Sequence, residues 1–348
     1  MAVMRAAVIP RPGGPEVIEI RKVPVPEPGP GEVLIRVRAC ALNRMDIWAR
    51  SGPPGPIFPW PEPVYPLITG NSVAGEVVSL GPGAVGFAPG DRVVVYSALV
   101  CGRCEYCRHG EQTMCYEYRI WGEHTQGGFA EFATVPADNL EPLPEDIDFV
   151  KGAAVLSFVT AWRAVVTAGK VKPGDDVLVL AAGGGVGVAA MQVALRAGAR
   201  VFAGASTVEK RRRALEIGAA TAFDYTAGPF SEWVLAQTGG RGVDIVVDSL
   251  GSTWPESIRS LARGGRLVVC GATAGNRPVF DIRELYQRHR SIRGAPMGNR
   301  QEFRRVLKMV ADGLLDPVID SVFPLEEIAD AHRRAESREA FGKIVITI

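Results

Sequence analysis

The sequence predicts an α/β protein of two domains, a small irregular β-rich domain and a doubly wound parallel sheet with helices on both faces. Three observations point there. Short β-type runs broken by Pro and Gly fill the first part of the chain. From about residue 155, continuous apolar runs alternate with helix-length segments. A length of 348 residues suits two cores better than one.

In the first part, the clearest strand candidates are Ala6–Ile9, Val17–Ile20, Val33–Arg38, Val73–Val78 and Arg92–Val95. Breakers such as Gly81-Pro82-Gly83 and Pro89-Gly90-Asp91 separate them. The stretch Ser51–Pro66 holds seven prolines and is expected as ordered loop. In the second part, Val177–Leu180, Arg200–Gly204, Thr221–Phe223, Val243–Val247, Arg266–Cys270 and Ser291–Arg293 read as buried parallel strands. Helical segments at 186–197, 208–217, 230–238, 253–263 and 281–289 lie between them, giving two β-α-β-α-β halves. A helix (Arg300–Asp312), a β-like piece (Val318–Phe323), a helix (Leu325–Arg334) and a last strand (Lys343–Ile348) close the chain. That last strand needs a sheet to join, and the first domain is the expected host. The boundaries read as 1–155 with 296–348 for the β-rich domain and 156–295 for the parallel-sheet domain.

Composition excludes several classes. Hydrophobic residues at 47% and charged residues at 22% are ordinary for a globular chain, so disorder is excluded. Basic and acidic residues number 39 and 38, a net charge of +1, which lacks the basic excess of a nucleic-acid binder. No apolar run is read as reaching the ~18–20 residues of a membrane span. The opening MAVMRAAVIPRPGG has no signal-peptide core, so no membrane partner and a cytoplasmic location are expected.

Four of the six cysteines fall in Cys101-x2-Cys104-x2-Cys107-x7-Cys115. Thiolates two residues apart on a tight loop can face one centre, and a fourth sulfur closes a tetrahedron, the pattern of structural zinc. An iron–sulfur cluster uses the same donors, and free surface thiols are the plain alternative. With four sulfurs bound, a zinc has no open position, so the lobe at 98–118 is expected to hold shape and do no chemistry.

Strand, glycine turn and helix follow directly in Asp176-Val-Leu-Val-Leu-Ala-Ala182-Gly-Gly184-Gly185-Val186-Gly187. The spacing is A-x-G-x-x-G, with Ala182 at the first glycine of the dinucleotide fingerprint. Gly184 allows close approach of a pyrophosphate, Gly185 and Val186 open the helix whose N–H groups face it, and Gly187 packs helix on strand. About 20 residues on, an NAD site places an acid on the ribose. Here Ala205 and Ser206 occupy that place, with Lys210-Arg-Arg-Arg213 behind. A hydroxyl with a nearby cation suits a 2′-phosphate, so NADPH is expected over NADH. The alternative is that the cationic run is only a solvated helix face.

Taken in order, these features resemble the zinc-containing medium-chain alcohol dehydrogenase and quinone oxidoreductase superfamily. Pro28-Gly-Pro-Gly-Glu-Val33, Ala41-Leu-Asn-Arg-Met-Asp46, Gly127-Gly-Phe-Ala-Glu131, Thr160-Ala-Trp162 and Gly342-Lys343-Ile-Val carry the resemblance across the chain. It implies a chaperonin-10-like (GroES-like) catalytic domain, a Rossmann domain, and an active site in the cleft between them. Thr160, Ser249 and Gly271 would then face the nicotinamide, Tyr225 would lie near the adenosine, and the chain would form a homodimer or homotetramer. The departures are informative. Where alcohol dehydrogenases of this family hold catalytic zinc, the aligned residues are Asn43, Asn71 and Leu156, none a competent ligand. Cys40 lies three residues off, and only His124 of the four histidines falls near the expected site.

Loss of those ligands with retention of Leu42-Asn43-x-x-Asp46 resembles the zinc-independent quinone oxidoreductases. The implied reaction is NADPH-dependent hydride transfer to a small-molecule quinone, enone or aldehyde. Asn43 and Asn71 would line the acceptor site, Asn43 as an orienting donor. Asp46 is read as an ion-pair partner of Arg50 at i, i+4, and Trp48 as a stacking wall or as core. A zinc-type alcohol or aldehyde dehydrogenase and a non-catalytic NADPH-binding protein are the competing readings.

Overall fold

The structure, a computed structural model, describes residues 2–52 and 64–348; most of the proline-rich stretch expected as loop lies outside them. The chain divides into two compact units, one of residues 1–156 and Asp316–Ile348, the other Ser157–Leu315.

The first unit is built on a seven-stranded sheet. Its path runs Ile319–Pro324, Lys343–Thr347, Glu32–Ala41, Val73–Leu80, Arg92–Val95 and Leu140–Pro142, with Phe132–Pro136 also paired to Glu32–Ala41. The last strand does return to this sheet, with Val345 opposite Ala41 and Ile346 opposite Cys40. Val33, Ile35, Val37, Trp121, Phe129 and Ile346 fill the core beneath. The strand expected at Val17–Ile20 is displaced. Pro15–Val17 forms a 3-10 turn and the strand begins at Glu19, because the fixed φ of Pro15 suits the first position of a helical turn.

Six parallel strands make the second unit, in the order Thr221–Phe223, Arg200–Gly204, Asp176–Val179, Val243–Asp248, Leu261–Val269, Ser291–Gly294. The order reverses between Asp176–Val179 and Val243–Asp248, the switch point where such sheets bind ligands. Every residue of Asp176–Val179 is buried, as a strand covered on both faces requires.

Helix Arg300–Ala311 belongs to this second unit, not to the β-rich domain from 296 as expected. Its Phe303 and Val306 are buried, and its Glu302 accepts from Arg163 Nε at 2.9 Å and from the Asn299 backbone at 2.7 Å. A buried charge stays with its partner, and that partner lies in the second unit. The helical run Phe149–Ala168 is, contrary to expectation, long and apolar enough by length and composition to cross a membrane. Of its apolar window 67% is buried inside the fold, as in a core helix.

Candidate active site and metal centre

All but two of the expected cofactor residues, Thr160 and Lys210, stand along one edge of the second unit's sheet. At the carboxyl ends of its strands, in spatial order, stand Tyr225, Ser206, the Ala182–Gly187 turn, Ser249 and Gly271. The turn closes with Gly184 N–H donating to Ala181 O at 2.9 Å, and Gly184 caps helix Gly185–Arg196. A Cβ on Gly187 would meet Ala181 O at 2.3 Å, so helix and strand touch only because that residue is glycine. Gly271 is held against Ser249 in the same way, with a built Cβ 3.0 Å from Ser249 O. Thr160 lies on helix Leu156–Trp162, half-buried.

Two members of the expected cationic run are placed by their surroundings. Lys210 is 8% exposed, on the inward face of its helix with Ala214. Arg211 instead reaches the strand ends, its guanidinium donating to Ala205 O at 3.0 Å and to Asp224 at 2.9 Å. It therefore lies one residue from both Ser206 and Tyr225. A run of four cations has no periodicity of its own that tells which one turns to the edge.

In the first unit, Cys101, Cys104, Cys107 and Cys115 bring their sulfurs within 4.8 Å of one another, and all four are free thiols. Among the described residues no other group of three or more His, Cys, Asp or Glu side chains converges so. Backbone N–H groups point at the sulfurs, Cys104 N to Cys101 Sγ at 3.4 Å and Cys101 N to Cys115 Sγ at 3.3 Å. Such donors favour thiolate, and the backbone N–H groups of Arg103 and then Cys104 draw Cys101 down to about 6. Four soft donors on one centre fit a tetrahedral zinc.

The acceptor-site candidates form a connected polar chain. Asn43 Nδ2 donates to Asn71 Oδ1 at 2.8 Å, and Asn71 Nδ2 donates to Glu123 Oε1 at 2.7 Å. At the other end Lys343 Nζ donates to Asn43 Oδ1 and to Leu42 O, both at 2.6 Å. Asn71, Glu123 and Lys343 are 4%, 5% and 6% exposed. Both hydrogens of the Asn43 amide are thus committed inside the protein, the second toward Ala41 O at 3.3 Å. Asn71 keeps one.

Asp46 does not pair with Arg50. It is wholly buried and accepts from Asn43 N–H at 2.7 Å and Gly70 N–H at 2.9 Å, closing the first turn of helix Arg44–Ser51. Near a helix N-terminus unsatisfied N–H groups outcompete a cation one turn away. Burial pushes Asp46 up to about 6, with Asn43 N–H, the Lys343 ammonium and Gly70 N–H pulling the other way. Lys343 is drawn down to about 8 by burial, against the charges of Asp46 and Cys40. Trp48 is half-buried on the same helix. Gly70 has φ +105°, and a Cβ there would meet Cys40 Sγ at 2.8 Å. Cys40 is sealed in the core, while His124 Nδ1 accepts Ile120 N–H at 2.9 Å.

Residues 29–145 match the family model of the alcohol dehydrogenase GroES-like domain, and residues 185–312 that of the zinc-binding dehydrogenases. The chain is 33% identical to acryloyl-coenzyme A reductase of Metallosphaera sedula, covering 99% of this chain and 100% of that one. To the quinone oxidoreductase of Homo sapiens it is 31% identical over 99% of this chain and 98% of the relative. A solved structure described as an NAD-dependent alcohol dehydrogenase superposes with a TM-score of 0.90 at 42% identity, covering 99% and 100% of the two chains. A GroES-like unit with a doubly wound parallel sheet of this order defines an oxidoreductase. The chain belongs to the medium-chain dehydrogenase/reductase superfamily.

Glu123 and Lys343 were not among the expected site residues. Glu123 carried a faint signal, an acid within the Trp121–His124 segment. Lys343 carried none beyond its place in Gly342-Lys343-Ile-Val.

Proposed function

We propose that this protein is an NADPH-dependent reductase of quinones or α,β-unsaturated carbonyl compounds, thioesters included, and that its acceptor site works without a metal. The observation that supports this best is the donor set itself. Asn43, Asn71, Lys343 and Glu123 offer two carboxamides, an ammonium and a carboxyl, with no thiolate or imidazole among them. A simple carbonyl or alcohol would ask a Lewis acid of such a site, whereas a conjugated acceptor disperses the developing charge and needs donors and a proton. When bound, the reduced nicotinamide supplies the hydride. The chain's own residues bind the dinucleotide along the sheet edge, orient the acceptor oxygen and deliver the proton. Acryloyl-coenzyme A and quinones, in the names of two relatives, are both conjugated carbonyls.

Purified protein is expected to oxidise NADPH with a small quinone and enone panel, before and after mild chelation, and to oxidise ethanol negligibly. Ethanol oxidation lost on chelation would favour the second reading, that of an alcohol dehydrogenase, which rests on the 42%-identical neighbour. Tight NADPH binding with no turnover of any acceptor would favour a non-catalytic role.

For the cofactor, Arg211 and Ser206 would take the 2′-phosphate. Charge-assisted hydrogen bonds are worth roughly 1.5–3 kcal/mol each. Arg211→Gln should therefore weaken NADPH about tenfold or more and leave NADH unchanged, by fluorescence titration at moderate salt. Equal losses for both cofactors would leave Arg211 a purely structural partner of Asp224.

For the metal, one zinc per chain would sit on Cys101, Cys104, Cys107 and Cys115 and hold the lobe in shape. Cys107→Ser should abolish bound zinc and open residues 98–118 to proteolysis while NADPH binding persists. Two zincs per chain, one surviving that substitution, would contradict the assignment. Among the described residues strand Ser291–Gly294 is paired on one side only, an edge that supports a homodimer or homotetramer.

A further inference from the structure

The polar chain in the first unit has a direction. A lysine ammonium only donates, so Lys343 facing Asn43 forces the Asn43 oxygen toward it and the Asn43 NH2 toward Asn71. The same logic turns the Asn71 NH2 onto Glu123 Oε1. Two amides that have no preference of their own are thereby set by one cation at the far end. Among the described residues Asn71 is the only hydrogen-bond partner of the Glu123 side chain. A buried carboxylate with a single hydrogen bond is costly, and the neutral acid is the stable form. Because Oε1 accepts, the proton must reside on Oε2.

Resting on the reading given under Proposed function, we propose that Glu123 is the proton donor of the reaction and that Lys343 is the positioning residue that keeps its proton on Oε2. Hydride adds to the β-carbon of the conjugated acceptor, and the electron pair of the C=C bond moves toward the carbonyl oxygen. The resulting enolate takes the proton from Glu123 Oε2, leaving a carboxylate that solvent water reprotonates. Overall one hydride and one proton are added, which also converts a quinone to its hydroquinone. The surroundings agree. Burial, and after it the Asp46 charge, hold Glu123 well above the usual carboxylate range, with Asn71 opposing. Among the described residues Tyr118 also faces it, itself raised by burial and by Glu123, while His124, next in sequence, accepts from the Ile120 backbone. Lys343 is in turn faced by Asp46 and Cys40.

Two readouts test this. Infrared spectra of the ligand-free protein at neutral pH should contain a protonated-carboxyl band that shifts in D2O and is missing in Glu123→Gln. Glu123→Gln should also lower kcat for an enone on the order of 100-fold or more, with NADPH affinity unchanged. Turnover within threefold of the parent, or a band that survives the substitution, would overturn the role of Glu123 while leaving the reductase reading intact. Failure of the unsubstituted protein to reduce any conjugated carbonyl would instead sink that reading. For Lys343 the readout is the pH profile. Activity should fall as pH rises past about 8, where Lys343 loses its proton. Lys343→Met should lower kcat at every pH and abolish that limb, whereas Lys343→Arg should retain activity and carry it to higher pH. An unmoved limb in Lys343→Arg would overturn the positioning role.

Discussion

Asn71→Ala should lower kcat for an enone by about 100-fold or more, with little change in dinucleotide affinity. Asn71 is 4% exposed, and among the described residues one of its two amide hydrogens has no acceptor while the other holds Glu123. On the proposed reading, that second hydrogen is the donor offered to an oxygen that gains charge during hydride transfer. Losing one such preorganised donor costs about 10²–10³ in kcat. Alanine also leaves Asn43 Nδ2 and Glu123 Oε1 without their partner, a stability loss of roughly 1–3 kcal/mol. The kinetic and structural effects separate in steady-state data, since a donor that acts only as charge develops changes kcat more than KM. The residues proposed to bind the dinucleotide all belong to the other unit, so NADPH affinity serves as the control. A kcat within threefold of the parent would mean that Asn71 only props its neighbours.

The largest stability effect is expected from Arg50→Met. Arg50 is 1% exposed and donates to Gly13 O at 3.1 Å, to Ser51 Oγ at 3.1 Å, to His332 Nδ1 at 3.0 Å, and to Glu336. Breaking a buried ion pair by removing one partner costs about 3–5 kcal/mol. The Glu336 side chain is 34% exposed, so water recovers part of that, and a loss of about 3 kcal/mol in urea unfolding is expected. The same cluster sets an acid limb. Burial, and then the Arg50 charge, draw His332 down to about 3. The unfolded chain therefore binds a proton that the native state refuses, and its contribution is complete above about pH 6.5 and lost as pH falls toward 3. In Arg50→Met the charge contribution is removed, so the acid limb should be shallower. A loss below 1 kcal/mol with an unchanged limb would contradict this account.

What could be read from the chain without a structure was whatever is local. The turn at Ala182–Gly187 needs six consecutive residues, and the four-cysteine lobe needs fifteen, because spacing on a short loop already determines where a sulfur or an N–H can point. Strand and helix periods in the parallel sheet were equally legible, since a strand buried on both faces is apolar at every position. The partners of buried charges were not. Asp46 and Arg50 share a helix face at i, i+4, yet one turns to backbone N–H groups and the other to His332 and Glu336, because desolvation makes each take the partner that satisfies it most fully. Helix Arg300–Ala311 joined the second unit for the same reason, through Arg163 and Glu302. Lys343 lies 300 residues from Asn43. Only the antiparallel pairing of the last strand with Glu32–Ala41 brings its ammonium to the amide, and no local period records a contact that a sheet makes at that distance.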